Sequence, residues 1–262
     1  MANTGSVKQR HSYLQEVAPV DISNIARFRR AAHKVIVVIP ARDEATDVGE
    51  VVQSVVAAGL PVVVVDDYSA DDTADIARCA GASVLQLPFH AGAWAAIQAG
   101  MRFASARGYE FCATLDADGQ HDPTDLETLL HQMNADDRPN VVIGACLERA
   151  NRRRRVAWRV LRWLSGLDVR DLTSGFRVYD RKAMDLLVRP HQTLLEYQDV
   201  GVLLCLHAHG MQVREIEVPM CARQHGISRI FRSWPLVIYY LIYSSLIGTS
   251  RRGRQTQEVS ES

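Results

Sequence analysis

Two carboxylates stand one residue apart in the segment LDADGQHDP, residues 115–123. Asp116 and Asp118 can both reach one divalent cation, and their hard oxygen atoms suit Mg²⁺ or Mn²⁺, which in turn bind phosphate oxygens. The alternative is that both only cap the helix predicted from Pro123. Because Asp122 already occupies the N-cap position before that proline, capping leaves Asp116 and Asp118 unexplained, and the pattern favours a metal site.

A second acidic stretch, VVVDDYSADDT, covers residues 63–73. Either Asp71 or Asp72 is a candidate N-cap for the next helix. Asp66 stands directly at the end of a predicted strand, where its carboxylate can accept hydrogen bonds from a nucleobase or a ribose. The sequence contains neither G-x-G-x-x-G nor a P-loop, which argues against dinucleotide sites and ordinary NTPase sites.

The elements that must position these carboxylates alternate along the chain. Apolar, mostly β-branched runs predict strands that are buried on both faces, and helical spacing of apolar residues follows each of the first four. This alternation predicts an α/β fold with a mostly parallel sheet flanked by helices, which binds its ligands beyond the carboxyl ends of the strands. The predicted strands are 35–39, 62–65, 83–87, 111–115 and 141–143, followed later by helices 181–188 and 200–209 and a strand 211–218.

The composition excludes several classes of protein. The chain has 262 residues, of which 47% are hydrophobic, so disorder is excluded for most of it. Equal numbers of basic and acidic residues, 30 each, remove the main support for a nucleic-acid binder. The five cysteines include no C-x-x-C pair, which argues against a disulfide framework and a zinc knuckle. No secretory signal is expected, since the first thirty residues contain no long apolar run.

Five motifs occur in order: VIPARDE, VVVDDYSADDT, LDADGQHDP, DLTSGFRVY and EVPMxxRxxGxS. Together they resemble the inverting family-2 glycosyltransferases of GT-A (Rossmann-like) fold. Among these, the chain is most similar to the polyprenyl-phosphate, or dolichyl-phosphate mannosyltransferase-like, branch. The resemblance covers about residues 34–229. A single D-x-D is a weak signal, but five motifs in the right order are a specific one.

The resemblance implies a metal-dependent hexosyltransferase that uses a nucleotide-sugar donor, and it assigns roles to residues. The metal on the donor diphosphate would be held by Asp116, Asp118 and Gln120. Arg177 and Arg223 would contact donor or acceptor phosphate, and Asp199 is the candidate general base. The implied donor-binding residues are Pro40, Arg42, Glu44, Val64, Asp66 and Ala117.

The chain departs from the family pattern at four places. Asp43 and His90 stand where relatives usually carry asparagine, and Gly144-Ala145-Cys146 replaces a usual Gly-Ser-Arg, which removes one expected cation. Relatives also carry an acidic pair two residues apart where this chain has Asp199 and Gly201. Asp199 could therefore cap the helix that follows it instead of acting as a base.

Two stretches outside the donor-binding part indicate contact with a membrane surface. Residues 149–166 combine seven arginines with Trp158 and Trp163, a mixture that suits an anionic bilayer. A solvated loop and a single-stranded nucleic-acid site are the alternatives. Residues 233–248 form an apolar, aromatic stretch of about 15 residues, whereas a membrane span needs about 20. This stretch predicts an interfacial helix, with a core helix as the alternative.

The sequence therefore predicts a peripheral glycosyltransferase on the cytoplasmic face of a membrane. It transfers a sugar with inversion to a polyprenyl-phosphate acceptor, binds no nucleic acid, and has a membrane protein as a candidate partner. A soluble acceptor, a sugar nucleotidyltransferase and a non-catalytic scaffold of the same fold are the alternatives. The predicted domains are an N-terminal extension 1–33, a GT-A domain 34–229 with an Arg-rich amphipathic insert 149–166, and an apolar helix with a polar tail, 230–262.

Overall fold

The structure, a computed structural model, contains a seven-stranded sheet with the strand order β3-β2-β1-β4-β6-β5-β7. It describes residues 34–135, 137–146, 169–171, 174–189 and 200–219. The strands are β1 (Val35–Ala41), β2 (Val62–Asp66), β3 (Ser83–Gln86), β4 (Phe111–Thr114), β5 (Val141–Ala145), β6 (Arg177–Asp180) and β7 (Val213–Glu217). The helices are α1 (Val48–Ala57), α2 (Thr73–Cys79), α3 (Ala93–Ala106), α4 (Asp125–Met133), α5 (Arg181–Leu187) and α6 (Val200–Ala208).

The sheet is covered on both faces, as the apolar strand runs predict. Successive residues of β1 point to opposite faces, so that Val38 belongs to one core cluster and Val37 to the other. Helices α3, α5 and α6 contribute to the first cluster, and α1, α2 and α4 to the second. Helix α3 lies so close to β1 that a Cβ added at Gly100 would stand 2.3 Å from Cγ1 of Val38. The predicted α/β fold with a mostly parallel sheet is confirmed.

Strand β6 is the element that the sequence did not reveal. Its four residues, Arg-Val-Tyr-Asp, have polar ends and no apolar run, and they become a strand because both β4 and β5 pair with them. Both pairings are antiparallel, so the sheet is mixed. The same antiparallel direction brings the start of β6 beside the end of β4, with Arg177 opposite Thr114.

The predicted domain boundaries remain predictions. The predicted N-terminal extension 1–33, the insert 149–166 and the C-terminal segment 230–262 lie outside the described residues. Within the described ranges, no helix has both the length and the apolar character that a membrane crossing requires.

Candidate active site at the carboxyl edge of the sheet

The carboxyl ends of β1, β2 and β4 lie at one edge of the sheet because these strands are parallel. They continue into three loops, residues 42–47, 67–72 and 115–124. The start of β6 reaches the same edge from the opposite direction. This arrangement brings Arg177 together with the predicted donor and metal residues, which stand in the last three residues of β1 or β2 or in the loops 42–47 and 115–124.

The first two loops are held to each other by hydrogen bonds. The backbone N–H of Asp43 donates to Oγ of Ser69 (3.0 Å), and the N–H of Ala70 donates to Oδ1 of Asp43 (2.8 Å). Nearby, the N–H of Glu44 donates to Oγ1 of Thr73 (2.9 Å). Asp43 has a φ of 52°, a conformation in which asparagine and aspartate are the most tolerated side chains. The replacement of asparagine by Asp43 is therefore compatible with this loop.

Asp71 takes part in the same loop contact. Partial burial raises its pKa, but hydrogen bonds from the hydroxyl and N–H of Thr73 and from the N–H of Ala45 favour the carboxylate. The net result is a pKa below the ordinary value of 3.8. Asp71 is thus ionised at neutral pH and fixes the loops around the site.

Asp66 and Asp67 are both buried, but they have different partners. Asp67 accepts hydrogen bonds at 2.7 Å from the N–H of Ala91 and at 2.9 Å from the N–H of Gly92, at the start of α3. Nδ1 of His90 lies 2.7 Å from the same carboxylate. Asp66 has longer contacts, 3.2 Å from the N–H of Ser69 and 3.4 Å from Nε2 of Gln86. Asp67 therefore holds the start of α3.

The other predicted donor-binding residues differ in exposure. Pro40, Arg42 and Glu44 are partly exposed at the edge. Within the described part of the chain, the buried Nε atom of Arg42 has no hydrogen-bond partner, and Oδ2 of Asp43 lies 3.7 Å away. The side chain of Val64, by contrast, lies entirely in the sheet core, and Ala117 is buried as well. Neither of these two side chains is open at the edge.

The loop after β4 carries the predicted metal ligands. Asp116 and Asp118 are half-buried, whereas Gln120 is buried and its backbone N–H donates to Oδ1 of Asp118 at 3.2 Å. Farther along this loop, Oδ1 of Asp122 accepts the N–H of Thr124 at 2.8 Å. Helix α4 begins at Asp125 with Thr124 at its N-cap position, so the predicted N-cap at Asp122 is two residues early, and Asp122 instead closes the turn that precedes the helix.

The chemistry of this loop fits Mg²⁺ or Mn²⁺ bound together with phosphate. Asp116, Asp118 and Gln120 offer carboxylate and amide oxygens, which these cations prefer. Among the described residues there is no cluster of three or more acidic, histidine or cysteine side chains that could hold a metal by itself. A site with two carboxylates leaves coordination positions for water and for substrate phosphates.

Residues 174–177, which we call the support segment, lie against the metal loop. A Cβ added at Gly175 would stand 2.7 Å and 2.8 Å from the two carboxylate oxygens of Asp116. The ring of Phe176 stacks on the buried ring of His121, with centroids 4.8 Å apart. The support segment therefore contacts the metal loop at two points, through Gly175 at Asp116 and through Phe176 at His121.

The predicted catalytic residues are only partly described. Arg177 is buried at the start of β6, and its Nε donates to the carbonyl oxygen of Ser174 at 2.7 Å. Asp199 directly precedes the first residue of α6, but it lies outside the described residues, as does Arg223. Their predicted roles remain predictions.

Sequence reasoning missed the importance of Gly175 and Phe176. Both belong to the motif S-G-F-R, in which only the arginine received a role. Within a motif next to a predicted carboxylate site, a glycine is a signal of close backbone approach. The partner of that approach, however, is 59 positions earlier in the chain, and only β6 pairing brings the two together.

Comparison with known proteins defines the class. Residues 36–187, more than half of the chain, match the family model "Glycosyl transferase family 2". The chain belongs to glycosyl transferase family 2, and it is a glycosyltransferase, as the five motifs predict.

Individual relatives agree with the predicted resemblance to the polyprenyl-phosphate branch. The chain is 26% identical over 220 residues to polyprenol monophosphomannose synthase of Mycolicibacterium smegmatis, covering 77% of this chain and 82% of the relative. It is 33% identical over 130 residues to undecaprenyl-phosphate mannosyltransferase of Micrococcus luteus, covering 45% and 54%.

A similar solved structure is that of glucosyl-3-phosphoglycerate synthase from Mycobacterium tuberculosis with Mn²⁺, UDP and phosphoglyceric acid. It has a TM-score of 0.63 and 18% identity, covering 84% of this chain and 82% of that one. At this identity the likeness supports the GT-A fold.

Proposed function

We propose that this protein transfers a sugar from a nucleotide-sugar donor to a polyprenyl phosphate, with inversion and with the help of Mg²⁺ or Mn²⁺. One observation carries the proposal. In a family-2 glycosyltransferase chain, the half-buried carboxylates of Asp116 and Asp118 lie at the same sheet edge as Asp66 and the start of β6.

Donor binding is assigned to the loops after β1 and β2. Asp66 accepts hydrogen bonds from the nucleoside, because its present contacts are long and its position is at the strand end. Pro40 and Glu44 line the same pocket. Arg42 is assigned to the donor as well, since its buried Nε lacks a hydrogen-bond partner among the described residues. Val64 and Ala117 support the pocket by packing beneath it.

Asp116, Asp118 and Gln120 hold the cation and so position the donor diphosphate. When bound, Mg²⁺ or Mn²⁺ neutralises charge on the departing nucleoside diphosphate. Arg177 and Arg223 add fixed positive charge for donor or acceptor phosphate, which stabilises charge that develops during transfer. The acceptor attacks in line from the opposite side of the anomeric carbon, so the reaction inverts its configuration.

A phosphate acceptor explains why the chain can have Gly201 where relatives carry an acidic residue. A phosphate monoester is already anionic near neutral pH and needs little help from a general base, whereas a sugar hydroxyl needs such help. Asp199 is the residue assigned to any proton that must be removed. The names of the two mannosyl-transferring relatives support a lipid-linked acceptor.

Binding at the cytoplasmic face of a membrane is assigned to residues 149–166 and 233–248. If wild-type protein sediments with anionic liposomes at low salt, replacing Arg152 to Arg155 with serine should release it, because each basic residue near an anionic surface contributes about 1 kcal/mol. Nucleotide release from a soluble donor should persist in this variant. Wild-type protein that stays in the supernatant at low salt, or that sediments equally with neutral and anionic liposomes, would contradict the surface model and make a soluble acceptor the leading alternative.

A soluble phosphorylated acceptor is the second candidate function. The observation that favours it is the likeness of fold to glucosyl-3-phosphoglycerate synthase, whose structure contains phosphoglyceric acid. Both candidate acceptors carry a phosphate group, so a direct assay is needed to separate them.

The deciding assay measures nucleoside diphosphate release from a panel of UDP-sugars and GDP-sugars. Each donor is tested with undecaprenyl phosphate in detergent and with 3-phosphoglycerate, in Mg²⁺, in Mn²⁺ and in excess chelator. The lipid acceptor should stimulate release, and the chelator should abolish it. Stimulation by 3-phosphoglycerate alone would establish the second candidate. Pyrophosphate release from a nucleoside triphosphate and a sugar phosphate would identify a nucleotidyltransferase, and inactivity with every donor would favour a scaffold.

A further inference from the structure

Two glycines beside the metal loop have no room for a side chain. At Gly175 an added Cβ would meet both carboxylate oxygens of Asp116, at 2.7 Å and 2.8 Å. At Gly144 it would stand 2.6 Å from Cδ1 of Phe176, the ring that stacks on His121. Neither glycine has a positive φ, so a side chain at these two positions would disturb a close contact and not the backbone conformation.

The support segment cannot easily move away from Asp116, because hydrogen bonds fix it to the strands on both sides. On the β4 side, Oγ1 of Thr114 donates to the carbonyl oxygen of Gly175 at 2.6 Å. On the β5 side, Oγ of Ser174 donates to the carbonyl oxygen of Gly144 at 2.5 Å. The N–H of Gly144 in turn donates to the carbonyl oxygen of Phe176 at 2.9 Å. A methyl group at Gly175 must therefore displace the carboxylate of Asp116.

We infer that Gly175 is a positioning residue for the metal site: its missing side chain sets where the Asp116 carboxylate stands. Thr114 acts together with Gly175, because its hydrogen bond to the Gly175 carbonyl fixes the position of that backbone beside Asp116. The inference rests on the proposed function in one respect, the binding of a cation by Asp116 together with the donor diphosphate. The proposed nucleoside pocket at Asp66 stands at the end of β2, and β1 separates β2 from β4. Nucleoside binding should therefore not respond to changes at Gly175 or Thr114.

The test measures nucleotide binding by calorimetry, with UDP and GDP in parallel, over a Mn²⁺ titration and in excess chelator. Gly175→Ala should raise the Mn²⁺ concentration for half-maximal enhancement of nucleotide binding by about 10–100-fold, the usual cost of disturbing a residue that orients a metal ligand. Metal-free nucleotide affinity should stay within a factor of two of wild type. A Gly175→Ala protein with wild-type Mn²⁺ dependence overturns the inference.

Gly108→Ala is the control for general destabilisation. Gly108 has a φ of 78°, which alanine tolerates poorly, and it precedes the amino end of β4, whereas the metal loop follows the carboxyl end of that strand. Gly108→Ala should lower the melting temperature but leave the Mn²⁺ dependence unchanged. If Gly108→Ala shifts the Mn²⁺ dependence as much as Gly175→Ala, general destabilisation explains both shifts and the inference fails.

If Gly175→Ala does not fold, the pair Thr114→Val and Thr114→Ser carries the test. Valine removes the hydroxyl that holds the Gly175 carbonyl, whereas serine keeps it. Only Thr114→Val should raise the Mn²⁺ concentration for half-maximal enhancement of nucleotide binding. Equal Mn²⁺ concentrations for Thr114→Val and Thr114→Ser would overturn the inference. A wild-type protein whose nucleotide binding does not respond to Mn²⁺ contradicts the proposed function itself, a result separable from any difference among variants.

Discussion

The two acidic pairs at the sheet edge contain the same residue type at equivalent strand ends but have different surroundings. Asp66 and Asp67 are 2% and 3% exposed and are hydrogen-bonded to the chain's own donors. Asp116 and Asp118 are half-buried on a loop whose position depends on a strand from much later in the chain. Short hydrogen bonds from two N–H groups give Asp67 a structural role at the start of α3, whereas Asp116 and Asp118, on a loop that the support segment contacts, are the proposed cation ligands.

The comparison extends to the two members of the first pair. The oxygens of Asp67 have short contacts at the start of α3, but those of Asp66 have longer ones. We therefore expect Asp67 to determine stability and Asp66 to determine donor affinity. The four changes below, in order of decreasing expected effect, test this division.

The largest effect is expected at the metal loop. Asp118→Asn keeps the shape of the side chain but removes a charged ligand, so metal-dependent nucleotide release should fall by more than about 100-fold. The melting temperature should change little. Asp185→Asn, at an exposed aspartate of α5 that pairs with Arg181, is the matched control and should retain full activity. Substantial activity of Asp118→Asn, or of wild type in excess chelator, would remove the second acidic pair from the mechanism.

Asp66→Ala should weaken donor binding by about 5–150-fold, since loss of a charged acceptor from a buried donor group costs about 1–3 kcal/mol. Calorimetry with the preferred nucleotide measures this, in chelator, so that the metal makes no contribution. Asp66→Asn keeps one acceptor oxygen and should give an intermediate affinity. Wild-type affinity in Asp66→Ala would show that the division between Asp66 and Asp67 is wrong.

Asp67→Ala should lower stability by about 2 kcal/mol, because the N–H groups of Ala91 and Gly92 lose their acceptor. For a chain of this size the melting temperature should drop by about 4–8 °C. Asp67→Asn, which retains one carbonyl oxygen, should lose less. A larger effect on nucleotide affinity than on melting temperature would place Asp67 in the binding pocket instead.

The smallest effect concerns Asp71. Because its pKa in the folded protein lies below 3.8, its carboxylate stabilises the fold fully above that pH, and this contribution disappears as the pH falls through the lowered pKa. Asp71→Asn turns an amide toward the N–H of Ala45 and should cost about 0.5–1.5 kcal/mol at pH 7. The difference from wild type in denaturant unfolding should shrink below pH 3.8. A difference that is constant with pH would contradict the role of the charge.

Much of the fold could be predicted from the sequence because the parallel strands are apolar runs. Val35–Ile39 and Val62–Val65 are buried on both faces, so their composition alone indicates their place in the sheet. Strand β6 carries no such signal, because its four residues form a strand only when two neighbours pair with them. The predicted helix starts at Pro123, Arg181 and Val200 lie within two residues of the observed starts of α4, α5 and α6.

The site, like the fold, has features that the sequence predicts and features that it does not. The positions of Asp66, Asp116 and Asp118 followed from strand ends, which are local features. The close approach of Gly175 to Asp116 depends on pairing between β4 and β6, which no local pattern reports. The stacking of Phe176 on His121 could not be predicted from the sequence for the same reason.

The insertion of β6 between β4 and β5 has a consequence for how the protein is made. As the chain leaves the ribosome, β1 to β4 can form a parallel sheet early, but the outer edge of β4 and both edges of β5 remain unpaired until β6 and β7 have been synthesised. Unpaired edges invite association with other chains, and closing such a distant contact is slow. A chain truncated before residue 174 therefore lacks the segment that supports Asp116, and it leaves the edge of β4 unpaired and able to associate with other chains. We expect full cation affinity only when the whole sheet has formed.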